Sequence, residues 1–177
     1  MKNFFAVFFL LVCLIFSTKV FAHADSTKVI ESMNFNVTDV NGDEMSFKTF
    51  LGKGPLLVNF WALWCEPCKQ EMKAFMAITE KLKSKGVSMV SINTDKVKSI
   101  AKVRAWVKSQ GITQPMLVDP DGNIANNQFS MESLPYSLLL TPDGKVYKKH
   151  IGFTAGDEVA IEKELDELIA EMGEKNK

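Results

Sequence analysis

The apolar run Leu56-Leu57-Val58-Asn59-Phe60-Trp61, followed directly by Ala62-Leu63-Trp64-Cys65-Glu66-Pro67-Cys68-Lys69, restricts the fold more than any other part of this chain. Its near-continuous apolar character fits a strand covered on both faces. The residues after it fit a helix start, with Pro67 in the first turn, where a missing N–H costs nothing. Two thiols three positions apart therefore sit where a buried strand hands over to a helix. The first N–H groups of a helix lack intrahelical partners, and the macrodipole adds partial positive charge there, so a thiolate at Cys65 is favoured. Cys68 stands one turn further in, within reach of a mixed disulfide on Cys65. This arrangement reads as a redox-active dithiol. The competing use of such a pair is half of a structural zinc site, which takes four ligands, commonly with a second Cys pair or a His pair. No second pair is present, and the histidines are His23 and His150 alone.

Residues 1–24 read as a secretory signal peptide. Lys2 precedes an uncharged apolar stretch from Phe4 to Phe16, and Ala22-His23-Ala24 offers a small-x-small cleavage pattern. The stretch is shorter than the about 20 residues of a membrane span. Val20 and Phe21 could extend it past Lys19, so an uncleaved anchor is the alternative. Cys13 lies inside the apolar run and leaves with the peptide, as does His23. Residues 25–177 then amount to one domain, carrying two cysteines in a periplasmic or other extracytoplasmic space where disulfides persist. Without Lys2 and Lys19, 19 basic residues face 21 acidic ones, a net charge near −2. With no Lys/Arg tract, neither nucleic acid nor an anionic lipid surface is expected as a partner. A monomer without bound metal or cofactor is expected, with a tail from Gly173 to Lys177 that frays.

Along the domain, alternation in Phe35–Val40, the turn Asn41-Gly42 and Met45–Phe47 predict a β-hairpin. The strand Leu56–Trp61 leads to a helix from about Glu66 to Lys85, with Met72, Phe75, Met76 and Leu82 at helical spacing and Gly86 as its stop. Val87–Ile92 reads as a strand. A helix from Val97 to Ser109 follows, capped by Thr94 or Asp95, with Val97, Ile100, Val103, Trp106 and Val107 on its apolar side. Pro115–Val118 is a short strand. Ser137–Thr141 and Lys145–Ile151, joined by Pro142-Asp143-Gly144, should pair antiparallel. A last helix, Asp157–Met172, turns Val159, Ile161, Leu165, Leu168 and Ile169 toward the sheet. This order predicts an α/β fold with a central mixed sheet flanked by helices, the strands around the first helix running parallel.

That order is also the thioredoxin order, and over about residues 35–172 the chain resembles, more narrowly, the exported TlpA/ResA-like thiol-disulfide oxidoreductases. The resemblance is carried by Val58 through Glu71, by the N-terminal hairpin, by Leu134-Pro135 and by Thr141-Pro142-Asp143-Gly144. It implies a thioredoxin-like fold with an added N-terminal β-hairpin. It also implies that Cys65 is the attacking thiolate and Cys68 the buried resolving thiol, with Trp64, Glu66, Pro67, Leu134 and Pro135 bordering the client chain. Pro135 matches the family's cis-proline, a bond that costs only about 0.5–1 kcal/mol over trans; an ordinary trans turn proline is the alternative. Thioredoxin carries an aspartate at the position of Asn59, which cannot ionise. In ResA-like proteins a glutamate three residues after the second cysteine is a candidate for moving the proton of the resolving thiol, and Glu71 stands there. One helical turn separates Glu71 from Cys68, so the two can share a face. The alternative is a solvated carboxylate near Lys69 or Lys73. Glu66 adds negative charge beside Cys65, which opposes the helix dipole and should keep the pair from being a strong oxidant.

The implied activity is reduction of disulfides in client proteins, for example apocytochrome c or a copper-site assembly protein, with electrons from a membrane donor of the CcdA/DsbD type. Two other uses of the cysteines compete. A thiol peroxidase would carry a Pro-x-x-x-Thr/Ser-x-x-Cys run, which Trp61-Ala62-Leu63-Trp64 before Cys65 does not match. A copper-binding chaperone would add His150 to the thiols, but Sco-like copper proteins carry Cys-x-x-x-Cys. His150 reads as a partly exposed strand histidine.

Overall fold

A computed structural model describes residues 33–175. The segment read as a signal peptide, 1–24 with Cys13 and His23, lies outside the described residues. The hairpin consists of β1 (Asn36–Asp39) and β2 (Glu44–Ser46), paired antiparallel. Asp39 builds its turn by accepting the N–H groups of Asn41, Gly42 and Asp43 at 2.7, 2.8 and 2.9 Å. Gly42 adopts φ +102°, a conformation that suits a residue without Cβ.

The remaining strands are β3 (Leu56–Trp61), β4 (Ser88–Asn93), β5 (Met116–Val118), β6 (Tyr136–Leu140) and β7 (Val146–Ile151). They join the hairpin in one seven-stranded sheet of order β2-β1-β5-β4-β3-β6-β7. All six residues of β3 are buried, as its apolar run requires. It runs parallel to β4 and antiparallel to β6. The sheet is therefore mixed, as expected, with the strand that feeds the cysteines near its middle.

The helices are α1 (Glu66–Leu82), α2 (Ile100–Ser109) and α3 (Asp157–Lys175). All three contribute to one core layer: Cys68, Met72, Phe75 and Ile78 from α1, Val103 and Val107 from α2, and Ile161, Leu165 and Leu168 from α3. Leu57, Trp61, Met89 and Leu139 meet them from the sheet. The opposite face, with Val58, Phe60, Val90, Ile92 and Leu138, is closed by Phe47, Phe129 and Tyr136. The Phe129 ring packs edge-on against both Phe47 and Phe60, at 5.4 and 5.6 Å.

Several expectations need correction. Val97 belongs to a separate 3-10 turn, Val97–Ser99, and is 73% exposed, because α2 starts only after that turn. Neither Thr94 nor Asp95 caps the helix. Val159 is 69% exposed. The buried stripe of α3 is set by Ile161, Leu165 and Leu168, and a residue two positions before Ile161 falls on the opposite side of a 3.6-residue helix. The tail expected to fray is helical as far as Lys175. An unexpected π-helical turn, Ile124–Gln128, follows β5, with the N–H groups of Ile124 and Ala125 held by the buried carboxylate of Asp119 at 3.0 and 2.8 Å. Gly86 ends the first helix as expected, after the 3-10 turn Lys83–Lys85. The chain before β3 passes so close that a Cβ on Gly54 would lie 2.4 Å from the Gly86 carbonyl oxygen.

Candidate active site

The C-terminal end of β3 sets the site. Trp61 closes the strand, and Thr94 N–H, just past β4, bonds its carbonyl at 2.9 Å. The short loop that follows is held from below by Asp95, whose Oδ2 accepts Leu63 N–H at 2.7 Å and the Asn93 side-chain amide at 2.9 Å. Cys65 is the N-cap of α1, its Sγ accepting Cys68 N–H at 3.3 Å. A sulfur in that position meets one of the helix's free N–H groups and the positive end of its dipole, so negative charge there is stabilised. Cys65 and Cys68 are joined as a disulfide, with Cα atoms 5.3 Å apart.

Cys65 is 5% exposed and Cys68 0%. Trp64 is 73% exposed, and Glu66 and Pro67 are exposed beside it. Glu66 ion-pairs with Lys69, whose ammonium also lies 5.8 Å from the Trp106 ring centroid. The negative charge of Glu66 is thus partly neutralised by Lys69, which weakens the expectation that Glu66 opposes the thiolate. Leu134 packs against the core that holds both cysteines. The Leu134–Pro135 bond is cis. Pro135 is buried, and its carbonyl accepts Gly152 N–H at 2.8 Å. Since Tyr136 pairs with Phe60, Pro135 lies at the same end of the sheet as the Cys loop.

Glu71 faces inward from α1 and is fully buried, which rules out the solvated carboxylate near Lys69 or Lys73. Asn59 Nδ2 donates to its Oε2 at 2.5 Å, and Ser137 Oγ to its Oε1 at 2.9 Å. Burial pushes its carboxyl up from 4.5 to about 7, against these two hydrogen bonds, and the charge of Asp157 adds to the rise. Cys68 and Glu71, both buried, stand one turn apart on the inner face of α1. A group that titrates near neutral pH beside an enclosed thiol is fitted to exchange protons with it.

Sequence reasoning treated Asn59 only as a lost aspartate and Asp95 only as a helix cap, and overlooked Ser137. The signal was present: Asn59 and Ser137 are polar residues inside otherwise apolar strands, and a buried polar residue needs a partner. His150, weighed as a copper ligand, sits on β7 with Nε2 2.8 Å from Glu164 Oε2 of α3. Among the described residues, no group of three His, Cys, Asp or Glu side chains is placed to hold a metal ion.

Comparison with known proteins agrees with this geometry. A family profile described as the AhpC/TSA family matches residues 31–149. A thiol-disulfide oxidoreductase ResA of Bacillus cereus is 37% identical over 122 residues, covering 69% of this chain and 68% of that protein. ResA of Bacillus subtilis is 35% identical over 118 residues, 67% of this chain and 64% of that one. The match thus spans about two thirds of the ResA proteins. Among solved structures, a putative thiol:disulfide interchange protein DsbE from Chlorobium tepidum superposes with TM-score 0.68 at 24% identity, covering 76% of this chain and 92% of that one. StoA from Bacillus subtilis superposes with TM-score 0.58 at 24% identity, covering 73% and 94%. A secreted Mycobacterium tuberculosis disulfide oxidoreductase described as homologous to E. coli DsbE gives 0.63 at 20% identity, covering 77% and 97%. These structural likenesses speak for the thioredoxin-like fold, and the ResA identities for the activity. The chain belongs to the AhpC/TSA family and, within it, to the ResA-like thiol-disulfide oxidoreductases of the thioredoxin superfamily.

Proposed function

We propose that the protein is an exported reductase of client disulfides in which Cys65 attacks, Cys68 resolves and Glu71 handles the proton of Cys68. The observation that carries this reading is the pairing of a helix-capping Cys65 with a fully enclosed Cys68 and Glu71 on the same helix. In the reduced protein, the Cys65 thiolate attacks one sulfur of the client disulfide and the other leaves as a thiolate. Cys68 then gives its proton to Glu71 and attacks Cys65, which releases the second client thiolate and leaves the Cys65–Cys68 disulfide. Both client sulfurs end as thiols, two electrons having passed to the client. Trp64, Glu66, Pro67, Leu134 and Pro135 would border the client chain.

Residues 1–24 would direct export and 25–177 form the working domain. The client would be a disulfide-bearing protein such as apocytochrome c or a copper-site assembly protein, and a membrane donor of the CcdA/DsbD type would restore the dithiol. Electron direction is open to measurement. Equilibration with glutathione should give a potential more negative than the roughly −180 mV of protein disulfide isomerase, whereas a value near roughly −120 mV would overturn the reductase direction. Insulin reduction assayed beside peroxide consumption and a copper titration separates the reductase from a thiol peroxidase and a copper chaperone.

A further inference from the structure

Glu71 is enclosed on every side, with both carboxylate oxygens tied to Asn59 and Ser137. A group that takes a proton in each turnover has to pass it on, and the sheet register marks a way out. Ser137 of β6 stands directly opposite His150 of β7. Opposed residues share a face, with Cβ atoms about 4.5–5.5 Å apart. The row continues inward through Asn59 and Ser91, so a band of polar side chains crosses the sheet beneath the helices. At its outer end the His150–Glu164 pair has side chains 23% and 22% exposed. Ser137 itself is 0% exposed. The band thus runs from a sealed carboxyl, through one hydroxyl, to a pair whose side chains are partly exposed, with the facing Nε2 and Oε2 atoms themselves buried.

We propose that Ser137 and the His150–Glu164 pair carry the proton between Glu71 and solvent, an inference that rests on Glu71 being the proton acceptor of Cys68. Protonated Glu71 gives its proton to Ser137 Oγ as the hydroxyl passes its own to the imidazole of His150, so Ser137 is left unchanged. His150 delivers the proton to Glu164 or to water, and the reverse sequence reloads Glu71. A hydroxyl both donates and accepts, and imidazole binds and releases protons near neutral pH. The other charged groups on this path are Asp157, whose charge acts on Glu71, and Lys148, two residues from His150 on the same side of β7.

The test is the rate at which the reduced protein reduces a small disulfide in weak buffer from pH 6 to 8. The parent is compared with His150→Ala, Ser137→Ala and Glu71→Gln, each with and without added imidazole. His150→Ala should slow exchange by about tenfold, short of the roughly 100-fold loss of an acid–base group itself, and imidazole should restore it. Ser137→Ala should slow exchange without rescue, because free imidazole cannot reach Glu71. His150→Gln, which keeps a polar side chain beside Glu164 but cannot bind and release a proton, should behave as His150→Ala and serves if the alanine variant fails to fold. Parental rates in both His150 variants, or a loss that imidazole does not recover, would overturn the route. If Glu71→Gln alone is slow, only the route fails; if Glu71→Gln is as fast as the parent, the role of Glu71 fails with it.

Discussion

A carboxyl group enclosed between a helix and a sheet can bind a proton or collect hydrogen-bond donors, and Glu71 does both. Its two donors, Asn59 and Ser137, favour the ionised form, but desolvation outweighs them and the group titrates near about 7 instead of 4.5. The native state therefore holds the proton more tightly than the unfolded chain. The stability tied to this group is complete below pH about 4.5 and is lost as pH rises through about 7, by at most about 3 kcal/mol. Glu71→Gln should remove that slope. Urea midpoints at pH 5 and 8 should fall for the parent and stay level for the variant, and a level parent curve would contradict the burial argument. Loss of the nearby negative charge should also lower the thiol titrations as a set and slow exchange near neutral pH. Unchanged thiol titration and rate would leave Glu71 a structural residue. The sequence showed Glu71 at the right spacing from Cys68 but not its enclosure. That enclosure depends on Asn59 and Ser137, which lie 12 and 66 residues away from Glu71 along the chain and meet it only once the strands pair.

Local patterning was a good guide to the elements and a poorer one to their ends and caps. The buried run Leu56–Trp61, the start of α1 at Glu66 and the hairpin turn at Asn41-Gly42 all follow from short-range chemistry, and all are found. The miss at Asp95 depended on tertiary contacts. Asp95 looked like a helix cap because acidic residues favour that position, yet its carboxylate turns to Leu63 and Asn93 and holds the Cys loop. Asp95→Ala would leave the Leu63 N–H and the Asn93 amide without their acceptor, a loss of about 1–3 kcal/mol in urea unfolding. Asp95→Asn, which keeps one acceptor, should recover part of it; full stability in the alanine variant would refute this account of the loop. Gly54→Ala should cost about as much or more, by driving a Cβ into the Gly86 carbonyl where the chain enters β3 beside the end of the first helix. A parental melting temperature for Gly54→Ala would show that the two segments can separate freely.

Taken as one body, the fold puts a reactive pair at the end of a central strand, a cis X–Pro bond at the same end of the sheet and a sealed carboxyl one helical turn on, while the three helices on one face keep water from the second thiol. Fold class and the cysteine site were legible because a strand, a helix start and two thiols are contiguous in sequence. The polar band through Ser91, Asn59, Ser137 and His150 was not, because it runs across strands. If residues 1–24 direct export, mass spectrometry of the exported protein should find a chain beginning near Asp25, whereas a full-length membrane-bound form would support the anchor instead. Whether the two cysteines divide the work as proposed can be read in one experiment. Reduced Cys68→Ser and Cys65→Ser proteins are each mixed with an excess of a disulfide-bearing client, and the covalent adducts are mapped by peptide mass. The expected result is a stable mixed disulfide on Cys65 in Cys68→Ser and almost none in Cys65→Ser; adducts on Cys68, or equal trapping by both variants, would contradict it.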